Sequence, residues 1–299
     1  MPTVLILGAS GKIGTHSASA FANAGWTVRR YLRGTDMRAA AKGCDVIING
    51  LNPPNYHDWA RIVPAITAQV IAAARASGAL VIIPGNVYNF GDRPGTWSEN
   101  TPHRPVSRKG RIRVEMEAAY RASGVRTLVL RAGNFIDPNH DGDVMSSVLL
   151  RGIDRGVITL PAKPEVMQAY AFVPDWARAA LMLAERRETL ATFEDVPFPG
   201  LAFTAQELKT ELDRALAHPL GFARFPWWAM TLLSPVWELA RELREMRYLW
   251  NTPHRLCSAR FDQLLPDFRP TDTATVMRAG LPDAIAGRSP RSNRAWRTS

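Results

Sequence analysis

Four cations, Arg108, Lys109, Arg111 and Arg113, crowd into "SRKGRIRVEME" (107–117). A lysine and an arginine four residues apart share one face of a helix. There the arginine can grip a carboxylate or a ribose, and the lysine, desolvated beside a guanidinium, can exchange protons. On a wheel of about 100° per residue, Ile112, Met116 and Tyr120 form an apolar stripe. Lys109 falls inside that stripe and Arg113 at its border, whereas Arg108 and Arg111 fall on the other side. Two cations so placed point to a ligand, with snorkelling of the charged heads into solvent as the bland alternative. "GNVYNFG" (85–91) offers a second set of groups, the Tyr88 phenol and the Asn86 amide. Asp137, His140, Asp141 and Asp143 cluster in a third place, but their irregular spacing fits a solvated, helix-capping loop, and no metal is expected.

The elements that must position these groups begin at the N-terminus. "TVLIL" (3–7) reads as a buried strand, "GASGKIG" follows with glycines at 8, 11 and 14, and a periodic helix runs from Lys12 to Asn23. Strand, glycine turn and helix start in that order make a phosphate cradle, because glycine lets the backbone close on a pyrophosphate and the helix N-terminus favours its charge. Gly8, Ser10, Gly11, Lys12, Ile13 and Gly14 are therefore cofactor candidates. A second strand, "WTVRRYLR", ends at Arg33 with no acid before Asp36. A cation there suits a 2′-phosphate, so NADP is expected over NAD, while Arg29 and Arg30 read as edge positions.

At 299 residues, 46% apolar and 21% charged, the chain is an ordinary globular protein with a sizeable core. Its two distant cysteines exclude a disulfide framework, and no basic leader precedes the first strand, so a cytoplasmic location is expected. The net charge of +10 falls to about +6 without the four arginines after position 287. That is compatible with a phosphorylated ligand. No nucleic-acid motif appears, and no apolar run is long enough to span a membrane, so neither partner is expected.

From residue 3 to about 187 the chain resembles the short-chain dehydrogenase/reductase superfamily, in its extended or atypical branch near the NAD-dependent epimerase/dehydratases. The likeness rests on "GASGKIG", "CDVIING", "GNVYNFG", "LRAGNFIDP" and "YAFVPDWARAALMLAE". It implies a Rossmann-type, doubly wound parallel α/β sheet. Only about a dozen residues separate the second strand from "DVIIN", so the family's third strand is expected to be missing or vestigial. Gly50, Leu51, Asn52, Gly85, Gly133, Asn134 and Phe135 then become cofactor candidates. His57 reads as a surface residue.

The resemblance also places the family's catalytic groups. Its serine falls on Pro84, its tyrosine on Lys109 and its lysine on Arg113, with Glu117 and the Val87–Tyr88 pair in register. The catalytic candidates are thus Lys109, Arg113, Tyr88 and Asn86. Residues 1–190 are expected to bind the cofactor, 191–280 to form a smaller, mainly helical substrate region, and 281–299 to be a basic tail. "FPWWAMTLLSPVWELARELREMRYLW" (225–250) carries four tryptophans and has three readings: small-domain core, an apolar lid or dimer surface, or a membrane-surface helix. The expectation is an NAD(P)-dependent oxidoreductase or epimerase/dehydratase-like enzyme acting on a small carbonyl or hydroxyl compound, with a homodimer as an open possibility. The rival is an NADP-binding redox sensor or interaction protein that does not turn its cofactor over.

Overall fold

Successive strand side chains point to opposite faces, and in this chain both faces are apolar. In β1 (Thr3–Leu7), Val4 and Ile6 pack to one side and Leu5 and Leu7 to the other. The computed structural model describes residues 1–139, 142–282 and 285. Its central sheet is six-stranded and parallel, built from β1, β2 (Thr27–Arg30), β3 (Val46–Asn49), β4 (Leu80–Gly85), β6 (Thr127–Arg131) and β10 (Phe193–Pro197), with β5 (Gly95–Trp97) outside it. The order across the sheet is β10-β6-β4-β3-β1-β2.

Helices α1 (Lys12–Asn23) and α5 (Val173–Glu185) cover one face, through Ile13, Phe21, Trp176 and Leu183. Helices α2 (Met37–Ala41), α3 (Trp59–Ser77) and α4 (Arg108–Ser123) cover the other, through Met37, Val63, Val70, Ile112, Met116 and Tyr120. Each fully buried Leu, Ile, Val or Phe contributes roughly 1.5–3 kcal/mol, so this two-sided burial holds the sheet as a rigid platform. The chain crosses from β1 to opposite sides of the sheet at β2 and β3, and the crevice of a doubly wound fold opens at that switch point.

Among the described residues no strand lies beyond β2, so the third strand that the resemblance implied is missing, as the short connection led one to expect. The five-residue α2 takes its place, and Arg29 donates to the Lys42 carbonyl at 2.6 Å across that edge. The second strand ends at Arg30 rather than Arg33, and Arg33 lies in the following turn, closed by Thr35 N–H to Leu32 O at 3.2 Å.

The expected boundary at 190 does not separate two bodies. β10 joins the main sheet from beyond it. β11 (Leu201–Phe203) pairs back onto β9 (Gln168–Phe172), which also holds β7 (Asn134–Ile136). β12 (Gly221–Arg224) pairs with β8 (Val157–Leu160), and β13 (His254–Leu256) with β5. The Trp-rich stretch is three helices, α7 (Trp227–Leu233), α8 (Glu238–Glu245) and α9 (Arg247–Trp250), after the capped α6 (Ala205–Leu216). Trp228, Leu232 and Val236 are exposed, while Met246 and Leu249 are buried beside Trp97. Helices α10 (Ala259–Leu264) and α11 (Thr273–Ala279) complete the described chain. The arginines expected to form a basic tail lie outside the described residues.

Candidate active site

The glycine turn closes the end of β1. Gly8 has a φ of +72°, and a Cβ there would lie 2.9 Å from the Gly50 carbonyl oxygen, so only glycine lets the two loops touch. A Cβ on Gly14 would lie 2.2 Å from the Gly8 oxygen, which fixes α1 against the turn. Gly11 differs. Its Cβ would meet only the Gly8 oxygen, at 3.5 Å, so packing within the protein does not demand a glycine there. It is the N-cap of α1, no side chain caps that helix, and no acid stands in the first turn. An uncapped helix start with Lys12 at its first position fits an anion. Ile13 is buried in the core, and Ser10 is exposed.

Beside the turn lies an open cavity of about 790 Å³ between the end of β2, α2, the loop after β3 and α3. Arg33, Asp36, Arg38, Leu51 and Asn52 line it. Asp36 accepts the Arg38 N–H at 2.9 Å and so caps α2. The groups therefore fit a dinucleotide: a glycine cradle, an uncapped helix start and a cation-edged cavity with room for an adenosine. Gly50 donates to the Leu7 carbonyl at 3.0 Å, and Leu51 to the Asn49 side chain at 3.2 Å.

Helix α4 brings Arg113 against Asn52, on the wall of this cavity. Its guanidinium donates to Asn52 Oδ1 at 3.0 Å and to Met116 Sδ at 3.6 Å, and stacks 4.6 Å from the Trp59 ring. None of these partners is a carboxylate. Burial holds the Arg113 guanidinium below its usual range, and its buried Nε has no partner.

Lys109 has a different environment from the one its spacing suggested. It is fully buried, and Nζ is clamped by Glu242 and, at 2.7 Å, by Glu245, while its backbone N–H donates to Glu245 at 3.1 Å. Arg108 adds a bond to Glu242 at 3.2 Å. Two of the four cations of 107–117 therefore fasten α4 to α8. Expected as a proton donor set beside Arg113, Lys109 is enclosed by acids from a segment more than 130 residues away.

Tyr88 stands where the cleft continues. Asn86, expected as a hydrogen-bond donor, uses Oδ1 to accept the Tyr88 N–H at 3.0 Å and so orients the tyrosine's backbone. The Tyr88 hydroxyl lies 3.3 Å from that of Tyr56, whose ring is 5.0 Å from Lys109 Nζ. Tyr56 was not legible as a site residue. It is carried by a loop in which Asn55, Tyr56 and Asp58 all have positive φ (51°, 62° and 43°). Left-handed non-glycine residues cost of order 1–3 kcal/mol each and cluster at functional sites. The adjacent Tyr88 phenol, and burial after it, push the Tyr56 phenol well above its ordinary range.

Under this pair, Arg131 is fully buried and uses its whole fork. It donates to Glu117 at 2.8 and 3.1 Å, to Asp195 at 2.6 and 3.2 Å, and to the Asn86 carbonyl at 2.7 Å. Glu117 also accepts from Asn89 at 2.9 Å. This network ties α4, β6, β10 and the Tyr88 turn together. Gly85 and Gly133 owe their missing side chains to packing, since a Cβ would meet Val129 at 2.6 Å and the Ala169 carbonyl at 2.1 Å, respectively. Phe135 packs edge-on against Trp176. Asp137 and Asp143 are buried, not solvated: Asp143 caps the turn at Ser146 and accepts the Asp137 N–H at 2.6 Å. Asp137 accepts from His16 at 2.9 Å. His140 and Asp141 lie outside the described residues. His57 is exposed and pairs with Glu238 at 2.9 Å.

Past Tyr88 a second, smaller cavity of about 70 Å³ is walled by Val144, Val148, Phe225, Trp227, Leu243 and Trp250. Its polar groups come from Tyr56, Tyr88, Asn134 and Gln168.

The topology and this arrangement can be set beside solved structures. A putative epimerase from Burkholderia cenocepacia superposes with a TM-score of 0.76 at 16% identity, covering 96% of this chain and 99% of that one. UDP-glucuronic acid 4-epimerase from Bacillus cereus, in complex with UDP-glucuronic acid and NAD, gives 0.75 at 13% identity over 93% and 97%. The chain shares the fold of these two proteins. RMD from Pseudomonas aeruginosa, complexed with NADPH, shares the fold at a TM-score of 0.71 and 18% identity, over 96% of this chain and all of that one. No family model matches the sequence, and no curated protein matches it. Among the described residues, no helix is long and apolar enough to cross a membrane.

Proposed function

We propose that the chain is a nicotinamide-dinucleotide-dependent oxidoreductase or epimerase/dehydratase-like enzyme, with NADP preferred to NAD and a small carbonyl or hydroxyl compound as substrate. The observation that carries this reading is Arg113: a half-buried cation that, among the described residues, pairs with no carboxylate and has a buried Nε without a partner, hydrogen-bonded to Asn52 on the wall of the open cavity. Such a group calls for a polar or anionic ligand. Gly8, Gly11 and Gly14 with Lys12 would cradle the pyrophosphate, Arg33 and Arg38 would meet the 2′-phosphate, and Asn52 and Arg113 would hold the nicotinamide ribose.

A bound nicotinamide supplies or accepts the hydride. In reduction, the Tyr88 hydroxyl gives its proton to the carbonyl oxygen of the substrate; in oxidation it takes the proton back. Tyr56, kept protonated by burial beside Tyr88, donates to the Tyr88 oxygen and disperses the charge left there. Lys109 acts from behind: it fastens α8, and with it the cover of the small cavity. A cytoplasmic location, expected from two distant cysteines, belongs to the same proposal.

Calorimetric titration with NADPH and NADH tests the reading. NADPH should bind, and more tightly than NADH; no binding of either sinks the function, and equal affinities sink the preference. The second reading, a non-catalytic NADP sensor, is favoured by Pro84 in the serine position and by the engaged Lys109. It predicts nucleotide binding with no turnover across a panel of ketones and alcohols, in wild type and Tyr88→Phe alike.

A further inference from the structure

Among the described residues nine large apolar side chains are exposed, and five of them fall within ten positions of the Trp-rich stretch. Trp228, Leu232 and Val236 are 74%, 72% and 86% exposed, and Leu233 and Trp237 accompany them. Trp228 and Leu232 stand one turn apart on α7 and so share a face. Met230, on the opposite side of that helix, is buried. Single exposed apolar residues are ordinary, but a concentration of this kind marks a surface that meets another apolar phase.

The charges around the patch decide which phase. In the sequence Glu238, Glu242 and Glu245 interrupt any basic face of α8. In the folded chain all three are engaged by cations. Glu238 pairs with His57 at 2.9 Å and Arg241 at 3.6 Å, Glu242 with Lys109 and, at 3.2 Å, Arg108, and Glu245 with Lys109 at 2.7 Å. Arg151, Arg224, Arg244 and Arg247 are exposed, and none forms an ion pair among the described residues. Arg247 lies 5.3 Å over the Trp227 ring and Arg151 5.7 Å over that of Phe225, at the start of α7. Arg244 donates to Ser234, at the end of α7, at 3.0 Å. The apolar patch is bordered by guanidiniums without carboxylates, while its nearby acids are paired.

We propose that this face rests on the surface of a lipid bilayer with anionic headgroups. Trp228, Leu232 and Val236 enter the boundary between headgroups and acyl chains, and the four arginines meet the lipid phosphates. Tryptophan favours that boundary because its ring is apolar and its N–H is polar, and arginine lays its stem on apolar surface with its head towards phosphate. The net charge of +10 draws the whole chain to the same surface. A second copy of this chain fits less well, because each protomer would bring four unpaired cations to one contact. That no described helix is long and apolar enough to cross a membrane bears on spanning a bilayer, not on lying against it. The inference does not rest on the enzyme reading above.

Flotation of the full chain with unilamellar vesicles tests it. Vesicles of phosphatidylcholine and phosphatidylglycerol should bind the protein at least about tenfold more tightly than phosphatidylcholine alone, since each arginine at the surface contributes about fivefold. The triple variant Trp228→Ser, Leu232→Ser, Val236→Ser should lose about tenfold or more on the mixed vesicles. All three side chains are exposed, so its urea midpoint should match the wild type, which separates lost docking from lost fold. The double variant Arg224→Gln, Arg247→Gln keeps the apolar patch and should lose most of the preference for anionic lipid. The four arginines after position 287 remain in both variants, so binding carried by them alone would survive both changes. Sedimentation velocity without lipid gives the last arm. Failure to bind mixed vesicles, undiminished binding in the triple variant, an unchanged lipid preference in the double variant, or a lipid-free dimer that the triple variant breaks would each overturn the proposal.

Discussion

Two helices of this chain start with a lysine in their first turn, and their surroundings are opposite. At α1 the cap is Gly11, no side chain satisfies the helix end, and Lys12 forms no ion pair among the described residues. At α4 the cap is Ser107, whose hydroxyl accepts the Gly110 N–H at 3.0 Å, and Lys109 is closed in by Glu242 and Glu245. A helix start needs partners for its free N–H groups in either case. At α4 a side chain supplies one; at α1 none does, and the proposed pyrophosphate would take those N–H groups. Residue type alone does not tell the two apart.

The largest effect expected from this contrast is on stability at α4. Lys109→Met leaves Glu242 buried with only Arg108 and Arg241 at its rim, so unfolding free energy in urea should fall by roughly 3 kcal/mol or more, with NADPH affinity retained. Adding Glu242→Gln should recover part of the loss. A fall below about 1 kcal/mol would show that the clamp is not the structural end described here.

Acid should act on the same C-terminal side. His254 is buried, stacked on Trp97 at 4.4 Å, and burial lowers its pKa to about 4. The unfolded chain takes up this proton near pH 6.5 and the folded chain only near 4, so stability is level above about 6.5 and falls as pH drops towards 4. The loss reaches roughly 3 kcal/mol at about 1.4 kcal/mol per pH unit. His254→Asn should flatten that slope; an unchanged slope would assign the acid sensitivity to other groups.

The α1 end gives the next effect, and it falls on binding. Gly11→Val should weaken NADPH by about a hundredfold, roughly 2.7 kcal/mol. Stability should change by about 1 kcal/mol, the cost of a poor N-cap, because the new Cβ meets only the Gly8 oxygen. Wild-type affinity in calorimetry would remove the cradle from the site. The smallest effect belongs to Arg33→Ala: about tenfold weaker NADPH, roughly 1.4 kcal/mol, with NADH unaffected. Equal weakening of both nucleotides would assign Arg33 to general charge rather than to the 2′-phosphate.

What could be read in advance follows the range of the forces involved. The Gly8–Gly14 turn, the strands around it and the missing third strand were legible because each is set within some twenty residues by glycine geometry, period and connection length. The apolar stripe of α4 was legible for the same reason: Ile112, Met116 and Tyr120 are buried as the wheel placed them. Tyr56 was not, since nothing in "NPPNYHDW" reveals that three left-handed residues will turn its ring to Tyr88.

The sequence by itself determined the platform: a parallel sheet whose alternating apolar faces bury both ways, a glycine turn, and a cationic helix four residues in register with a lysine and an arginine. Only the tertiary structure decided what those two cations do. Glu242 and Glu245 stand 133 and 136 positions from Lys109, and Asn52 stands 61 from Arg113. No local pattern records such pairings. They follow from packing α8 against α4, because a buried ammonium must find carboxylates within reach or lose the free energy of its hydration. Among the described residues, the same packing gives Arg113 no carboxylate.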